Sequence, residues 1–523
     1  MNVPYFHRHC ASSPSRRPAL NSFLLLALVT VPSPPLFAEP GPAAVPVPAA
    51  FLYQPAQPAV LADIIPFYWH GEFHLLYLQG RRNGFDWAQL VTRDFTSARY
   101  TGIAIPGSDV EGAQDHDIFT GSVIEKDGLL YAFYTGHNPA LAKQGKPDQV
   151  IMRATSRDAV HWTKDPQFRF SPAGDPRYRW PAACRDPFLF WNPVRKEFGM
   201  DFTSSPSKYP VGGVGYAGSP DLDSWRLGDP LSASGRFPGY ECSDLFRIGD
   251  RWYLLFSTYA ENPGWATRYM IAPSIDGPWQ SPVDDFFDGS SLYAAKTVTD
   301  GARRFLCGTL ARRALPRDDA NNGWAGRLLT YEIVPRHDGT LGVRIPPEVE
   351  SSFGPSSPVR LSPTQAWETI DTGVRSTAGR AHLDIGKLPN RCLLTVQLTL
   401  PQTGRIGIWL GGKLNAEGAY RYSIDVGTRR LVFDHGKLPL GLDQEKERNY
   451  RPLDIRPGDR VTLKVVLDGD AAVACVNDTI CLSTRIYNRQ DDLAGLWTDT
   501  VGAEFHDLRL ATPPVGQQID KAK

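Results

Sequence analysis

Residues 119–136, FTGSVIEKDGLLYAFYTG, read as strand, glycine turn, strand, with alternating or continuous apolar side chains on both sides of Asp127-Gly128. The same phrase recurs at 63–78 (DIIPFYWHGEFHLLYL), 186–203 (DPFLFWNPVRKEFGMDFT), 241–258 (ECSDLFRIGDRWYLLFST) and 293–310 (YAAKTVTDGARRFLCGTL). The turns fall at Gly71, Gly128, Pro193, Gly249 and Gly301, so the copies follow one another at about 52 to 65 residues, a spacing close to that of β-propeller blades. Three copies open on an acid: Asp63, Asp186 and Glu241. Propeller blades repeat radially, so acids at one phase of the repeat are expected to converge on the central channel.

A second phrase supports the repeat. Ser156-Arg157-Asp158 leads to Trp162, Ser219-Pro220-Asp221 to Trp225, and Ser274-Ile275-Asp276 to Trp279, each closing a copy. The Ser/Asp pair suits a turn between outer strands, and the Trp suits packing between blades. Long segments of 3.6-residue period are absent, so helices should be few and short. The repeat fades near Val334, and Pro- and Ser-rich residues 346–365 read as a linker. Alternating stretches then follow at 393–400, 405–410, 420–426, 430–434, 460–467, 471–476 and 480–487. The expected fold is all-β: a five-bladed β-propeller over 59–345, then a C-terminal antiparallel β-sandwich over 366–512 and a tail at 513–523.

The N-terminus reads as a signal peptide over 1–38. Arg16-Arg17 precede an apolar run from residue 23 to 31 that is short for a membrane span, and a cleavage site fits after Ala38. Ser15-Arg16-Arg17 also resembles a twin-arginine signal, so either export route fits. Pro-rich residues 39–58 read as an extended linker. The mature protein is expected to be secreted or periplasmic, with no membrane insertion after cleavage. Lys plus Arg and Asp plus Glu both number 56, which gives no electrostatic reason to expect nucleic acid as a partner. Six cysteines remain after cleavage, none in a zinc-like spacing. Cys475 and Cys481 flank the turn at Asn477-Asp478 and could face each other, although buried small hydrophobes are the plainer reading.

Carboxylates gathered in one cleft suit glycosidic bond chemistry. A retaining glycosidase needs one ionised carboxylate as nucleophile and one carboxyl as acid and then base, the latter held protonated by its surroundings. Single acids beside strands are usually solvated turn residues, and Asp244, Asp250 and Asp300 read that way. Asp115-His116-Asp117 reads as a polar loop rather than a metal site. His70, His74, His116 and His161 sit singly and read as packing or surface residues. Ser122 lacks a His–Asp arrangement for serine hydrolysis.

At these residues the chain resembles glycoside hydrolase family 32, the β-fructofuranosidases, invertases, levanases and inulinases. Arg185-Asp186-Pro187 is similar to that family's Arg-Asp-Pro motif and Glu241-Cys242 to its Glu-Cys motif. Phe119-Thr120-Gly121-Ser122 resembles its aromatic-Ser-Gly-Ser motif, and Trp324-Ala325-Gly326 its Trp-Ala-Gly segment. The resemblance implies a cofactor-free retaining mechanism with no metal. Asp63 would be the nucleophile, Glu241 the acid/base and Asp186 the transition-state stabiliser. Gln79, Phe119, Ser122, Arg185, Tyr293 and Trp324 would bind substrate. The first motif departs from the family's Asn-Asp-Pro-Asn-Gly: here it is Ala62-Asp63-Ile64-Ile65-Pro66, without either Asn. Asp86-Trp87 is the nearest match to the family's Trp-Gly-His element.

The expected activity is hydrolysis of a fructofuranoside of sucrose, levan or inulin type, with an oligo- or polysaccharide as partner. Another furanoside such as an arabinofuranoside, glycosyl transfer in place of hydrolysis, and a non-catalytic carbohydrate-binding propeller remain as alternatives.

Overall fold

A computed structural model describes residues 45–514 apart from 48–49, 57–58, 180–183, 209–211, 233–235, 260–264, 319, 321, 414–415, 417, 436–448 and 490. The expected signal peptide, residues 39–44 and the end of the tail lie outside the described residues. Each phrase of the repeat forms the two inner strands of an antiparallel blade. These pairs are Leu61–Trp69 with Glu72–Arg81, Asp117–Lys126 with Leu129–His137, Arg185–Asn192 with Glu197–Ser204, Glu241–Ile248 with Arg251–Thr258, and Leu292–Thr299 with Arg304–Arg313. Gly128 (φ +74°) and Gly249 (φ +59°) take left-handed backbone at two of the turns, which suits a residue without Cβ. Gly326, in the outer strand Asn322–Pro335 of blade 5, pairs with Leu61 of blade 1 and joins the last blade to the first.

The blades pack face to face, which explains why "HLLYL" is apolar throughout. Leu75 and Tyr77 point into the core shared with blade 5, while Leu76 and Leu78 point towards blade 2. The Ser/Asp phrases form turns as expected: Asp158 Oδ1 accepts from the Val160 and His161 amides, at 2.9 and 2.8 Å. Trp225 of blade 3 packs on Phe133 and Phe170 of blade 2, between blades.

Beyond the propeller, a sheet of eight strands and one of six enclose a second apolar core that includes Leu394, Ile408, Tyr422 and Leu496. All seven anticipated stretches are strands. The strands Ala381–Lys387, Leu493–Thr498 and Glu504–Ala511 lacked a strong enough local signal to be anticipated.

Several expectations need correction. The stretch 39–58 is not a free linker where it is described: Val45–Val47 pairs outside blade 1, Phe51 and Leu52 are buried, and the Leu52 carbonyl accepts from Arg327 at 2.7 Å. In 346–365, Pro347–Ser351 is a short helix, and Val349 and Phe353 enter the core between propeller and sandwich. Asp250 is exposed and Asp300 caps its turn, but Asp244 is fully buried and accepts the Thr297 amide. Its position, five residues before the turn at Gly249, gave no sign that blade 5 packs over it. Cys475 and Cys481 are direct cross-strand partners, and both are free thiols in the apolar core.

Arg451 ties sandwich to propeller. It is 1% exposed, and its guanidinium donates to the Phe286 carbonyl (2.8 Å), the Phe287 carbonyl and Asp284 (2.9 Å). Arg451→Ala is expected to cost about 3 to 5 kcal/mol in chemical denaturation, because it breaks a buried ion pair and takes a donor from a buried carbonyl.

Candidate active site

All five innermost strands break register near their start: between Ala62 and Ile64, Phe119 and Gly121, Arg185 and Phe188, Glu241 and Asp244, and Tyr293 and Lys296. In four of them a non-glycine residue takes left-handed backbone: Asp63 (φ +44°), Asp186 (φ +57°), Cys242 (φ +52°) and Ala294 (φ +51°). Such conformations cost of order 1 to 3 kcal/mol each and persist where the surrounding structure imposes them. Aligned on the bulge, the acids do not share one phase. Asp63 and Asp186 are the bulge residues, whereas Glu241 precedes its own, at the level of Phe119, Arg185 and Tyr293. The bulge is invisible in local sequence, which is why the phase was misjudged.

The three acids still meet, linked by direct bonds between neighbouring blades. Asp63 Oδ2 accepts from the Thr120 hydroxyl at 2.6 Å. Asp186 Oδ2 accepts from the Thr203 hydroxyl and the Cys242 amide, both at 3.0 Å. Arg185 donates to Glu241 Oε1 at 2.7 Å and lies 3.6 Å from Asp186, while the Tyr293 hydroxyl donates to Glu241 Oε2. Tyr259 and Trp265 stand behind Tyr293. The Trp324 side chain hydrogen-bonds Asp63, and Phe85 packs on both Trp324 and Phe119. Phe119 in turn stacks on His137 at 4.4 Å, which Asp117 holds at 3.0 Å.

Burial pushes the Asp63 carboxyl up to about 7 against the opposing Thr120 bond, and the charges of Asp186 and Glu241 add to the rise. This upward push therefore acts on the group read as nucleophile. The cause is spatial: the nearby cation, Arg185, bridges Asp186 and Glu241 and leaves Asp63 with neutral donors only. The expected midpoint of the acid limb of kcat/KM is accordingly near pH 7, with activity rising as Asp63 ionises. In Thr120→Val, which keeps the shape and removes the donor, that limb should move to higher pH. A loss of about tenfold at pH 6 and a smaller one at pH 8 would follow; equal losses at both would speak against it.

Two anticipated contacts fail. Ser122 is 3% exposed and its hydroxyl accepts the Leu189 amide at 2.9 Å, so it joins blade 2 to blade 3 instead of facing the pocket. Gln79 lies opposite Leu61, and its Oε1 accepts from Tyr77 at 3.1 Å, towards the seam with blade 5; among the described residues it bonds none of the three acids. Asp86 and Trp87 also miss the pocket. Asp86 accepts the Gly107 amide, and Trp87 is fully buried, so Phe85 takes the place at the wall. In the loop 115–117, Asp115 pairs with Lys164 and Asp117 with His137.

The hydroxyls that position the site were missed, although a signal existed. Thr135, Thr203 and Ser257 each sit opposite the residue before the bulge, at the end of "FYT", "DFT" and "LFS". The Asp186 amide, freed from the ladder by its bulge, is bonded by Thr135 at 2.8 Å, and the Ala294 amide by Ser257 at 3.0 Å.

Residues 64–335 match the family model for the glycosyl hydrolases family 32 N-terminal domain. The chain belongs to glycoside hydrolase family 32. The match opens one residue after Asp63, where the first motif departs from the family pattern. This family 32 hydrolase is 25% identical over 451 residues to a raffinose invertase of Escherichia coli, covering 81% of this chain and 86% of that one. It is 26% identical over 424 residues to a sucrose-6-phosphate hydrolase of the same species, covering 78% and 81%. Among solved structures, fructan 1-exohydrolase IIa of Cichorium intybus superposes with a TM-score of 0.68 at 16% identity, covering 88% of this chain and 96% of that chain. The fold likeness supports the propeller-plus-sandwich architecture.

Proposed function

We propose that this family 32 hydrolase is an exported, retaining fructofuranosidase in which Asp63 attacks the anomeric carbon while Glu241 protonates the leaving oxygen. Water deprotonated by Glu241 then releases the sugar from Asp63. The observation that carries this reading is the meeting of Asp63, Asp186 and Glu241 from three separate blades at one bulge layer. Thr120 and Trp324 orient the attacking carboxylate, and Arg185 and Tyr293 orient Glu241. Asp186 bonds protein through Oδ2, and its Oδ1 has no protein hydrogen bond among the described residues, which suits it to ring hydroxyls as positive charge develops. Positive charge on the sugar also favours ionised Asp63. The missing Asn side chains are replaced by core residues: Ile65 packs towards blade 2 and Ala62 beside it.

The test is a panel of sucrose, levan, inulin and arabinofuranosides with methanol as acceptor. Fructose release with a β-configured methyl fructofuranoside supports the reading. An inverted product would remove the double displacement, arabinose release alone would replace the glycone, and binding without release would favour a carbohydrate-binding propeller. Export rests on the Arg16-Arg17 and apolar 23–31 pattern; mass spectrometry of the protein recovered from a bacterial periplasm or medium should give a mature chain starting near residue 39.

A further inference from the structure

Lys296 is fully buried, two residues past Ala294 on the innermost strand of blade 5. Its Nζ donates to the Ser243 carbonyl at 3.2 Å and lies 5.3 Å from the Phe188 ring centroid. Ser243 directly follows the bulge residue Cys242 of blade 4, and Phe188 follows Asp186-Pro187 in blade 3. The ammonium therefore grips the two strands that carry Glu241 and Asp186. We propose that Lys296 is a positioning residue for the reaction, fixing the backbone that aims Asp186 and Glu241 and offsetting the charge of the carboxylates above it.

The groups facing Lys296 are consistent with that role. Asp201, from the second strand of blade 3, accepts the Ser243 hydroxyl, and Asp244 of blade 4 accepts the Thr297 amide. Arg304 of blade 5 is the cation next to Asp244, and the Cys242 thiol completes the set. Burial pushes Asp201 up to about 7, with the Lys296 charge opposing it. Asp201, Asp244, Arg304 and Lys296 are thus the ionisable side chains of this layer. Above it stand three carboxyls with Arg185 as their neighbouring cation. An uncompensated ammonium would be costly so deep in the fold, and Asp201 and Asp244 account for its retention.

The inference rests on the proposed roles of Asp186 and Glu241, and its test has one reading that depends on turnover and one that does not. Lys296→Met keeps the length and removes the charge; Asp201→Asn removes an opposing negative charge with little change of shape. In Lys296→Met, kcat should fall about 10- to 100-fold with KM changed less than about threefold, and the acid limb of kcat/KM should move to higher pH. In Asp201→Asn the limb should move the opposite way. Independently of turnover, 13C NMR titration of Asp63 in aspartate-labelled protein should show the same two opposite shifts. If the wild type proves inactive, the titration still decides the role of Lys296 while the functional reading falls. Unchanged midpoints in Asp201→Asn and in folded Lys296→Met, or activity lost only in proportion to unfolded protein, would overturn the proposal. If Lys296→Met fails to fold, Lys296→Gln, which removes the charge and keeps a donor for the Ser243 carbonyl, decides by the same readings.

Discussion

Asp63→Asn is expected to abolish sugar release, by about four to six orders of magnitude, and at the same time to stabilise the fold above pH 5. The loss follows because an amide cannot attack the anomeric carbon, whereas its hydrogen bonds to Thr120 and Trp324 can largely survive. The gain follows from the raised titration of Asp63, which burial and the charges of Asp186 and Glu241 push up to about 7. An unfolded aspartate titrates near 3.9, so the folded state binds the proton more tightly. Below about pH 4 both states are protonated and the carboxyl costs nothing. Between about 4 and 7 the penalty of holding it ionised grows, and above about 7 it is constant. Asparagine avoids that penalty, so the melting-temperature difference between variant and wild type should widen from pH 4 to pH 7 and then level. At pH 7 it should correspond to roughly 2 to 4 kcal/mol. Melting curves across this range, paired with sugar-release assays, check both parts. Residual release at wild-type rates would remove Asp63 as nucleophile, and a variant less stable at every pH would remove the electrostatic account.

Glu241→Gln should reduce turnover of sucrose by about 10²- to 10⁴-fold, the usual worth of a positioned acid/base. The side-chain amide can keep the Arg185 contact through its oxygen but cannot deliver or take a proton. Two features separate this from general damage. With an aryl fructofuranoside, whose leaving group needs little protonation, glycosylation of Asp63 should be nearly normal and the slow step should become release by water. Azide needs no general base, so it should restore turnover and yield a β-fructosyl azide. Rates equally poor for both leaving groups and unmoved by azide would sink the assignment. The folded state should be little changed, as Tyr293 and Arg185 remain anchored by Trp265 and Asp186 respectively.

How much was legible differs from residue to residue. Asp63, Asp186 and Glu241 stood out because a repeated strand–turn–strand phrase marks where each inner strand begins. Arg185 was visible through its motif and Tyr293 as the head of the fifth copy, and the structure brings both to Glu241. Ser122 stood in a motif but turned away, because it lies three residues beyond Phe119 and past a bulge that shifts the side-chain alternation. Phe85 went unseen since its neighbour Trp87 looked the better aromatic, yet Trp87 is spent on the packing between blades 1 and 2. Thr120 and Thr203 were unremarkable in sequence; their importance comes from lying within hydrogen-bond reach of an acid.

What the sequence determined alone was the blade repeat, the sandwich after it and the identity of the three acids. Period-two patterning, turn residues and spacing are local properties that survive without knowledge of any long-range contact. Tertiary structure alone decided the phase of the acids around the axis, the shared cation at Asp186 and Glu241, the raised titration of Asp63 and the burial of Lys296 and Asp244. Each of these depends on which blade faces which, and on bulges in five separate strands at one level. Charges and hydrogen bonds act across a few ångströms of space, and here those ångströms separate residues more than fifty positions apart in the chain.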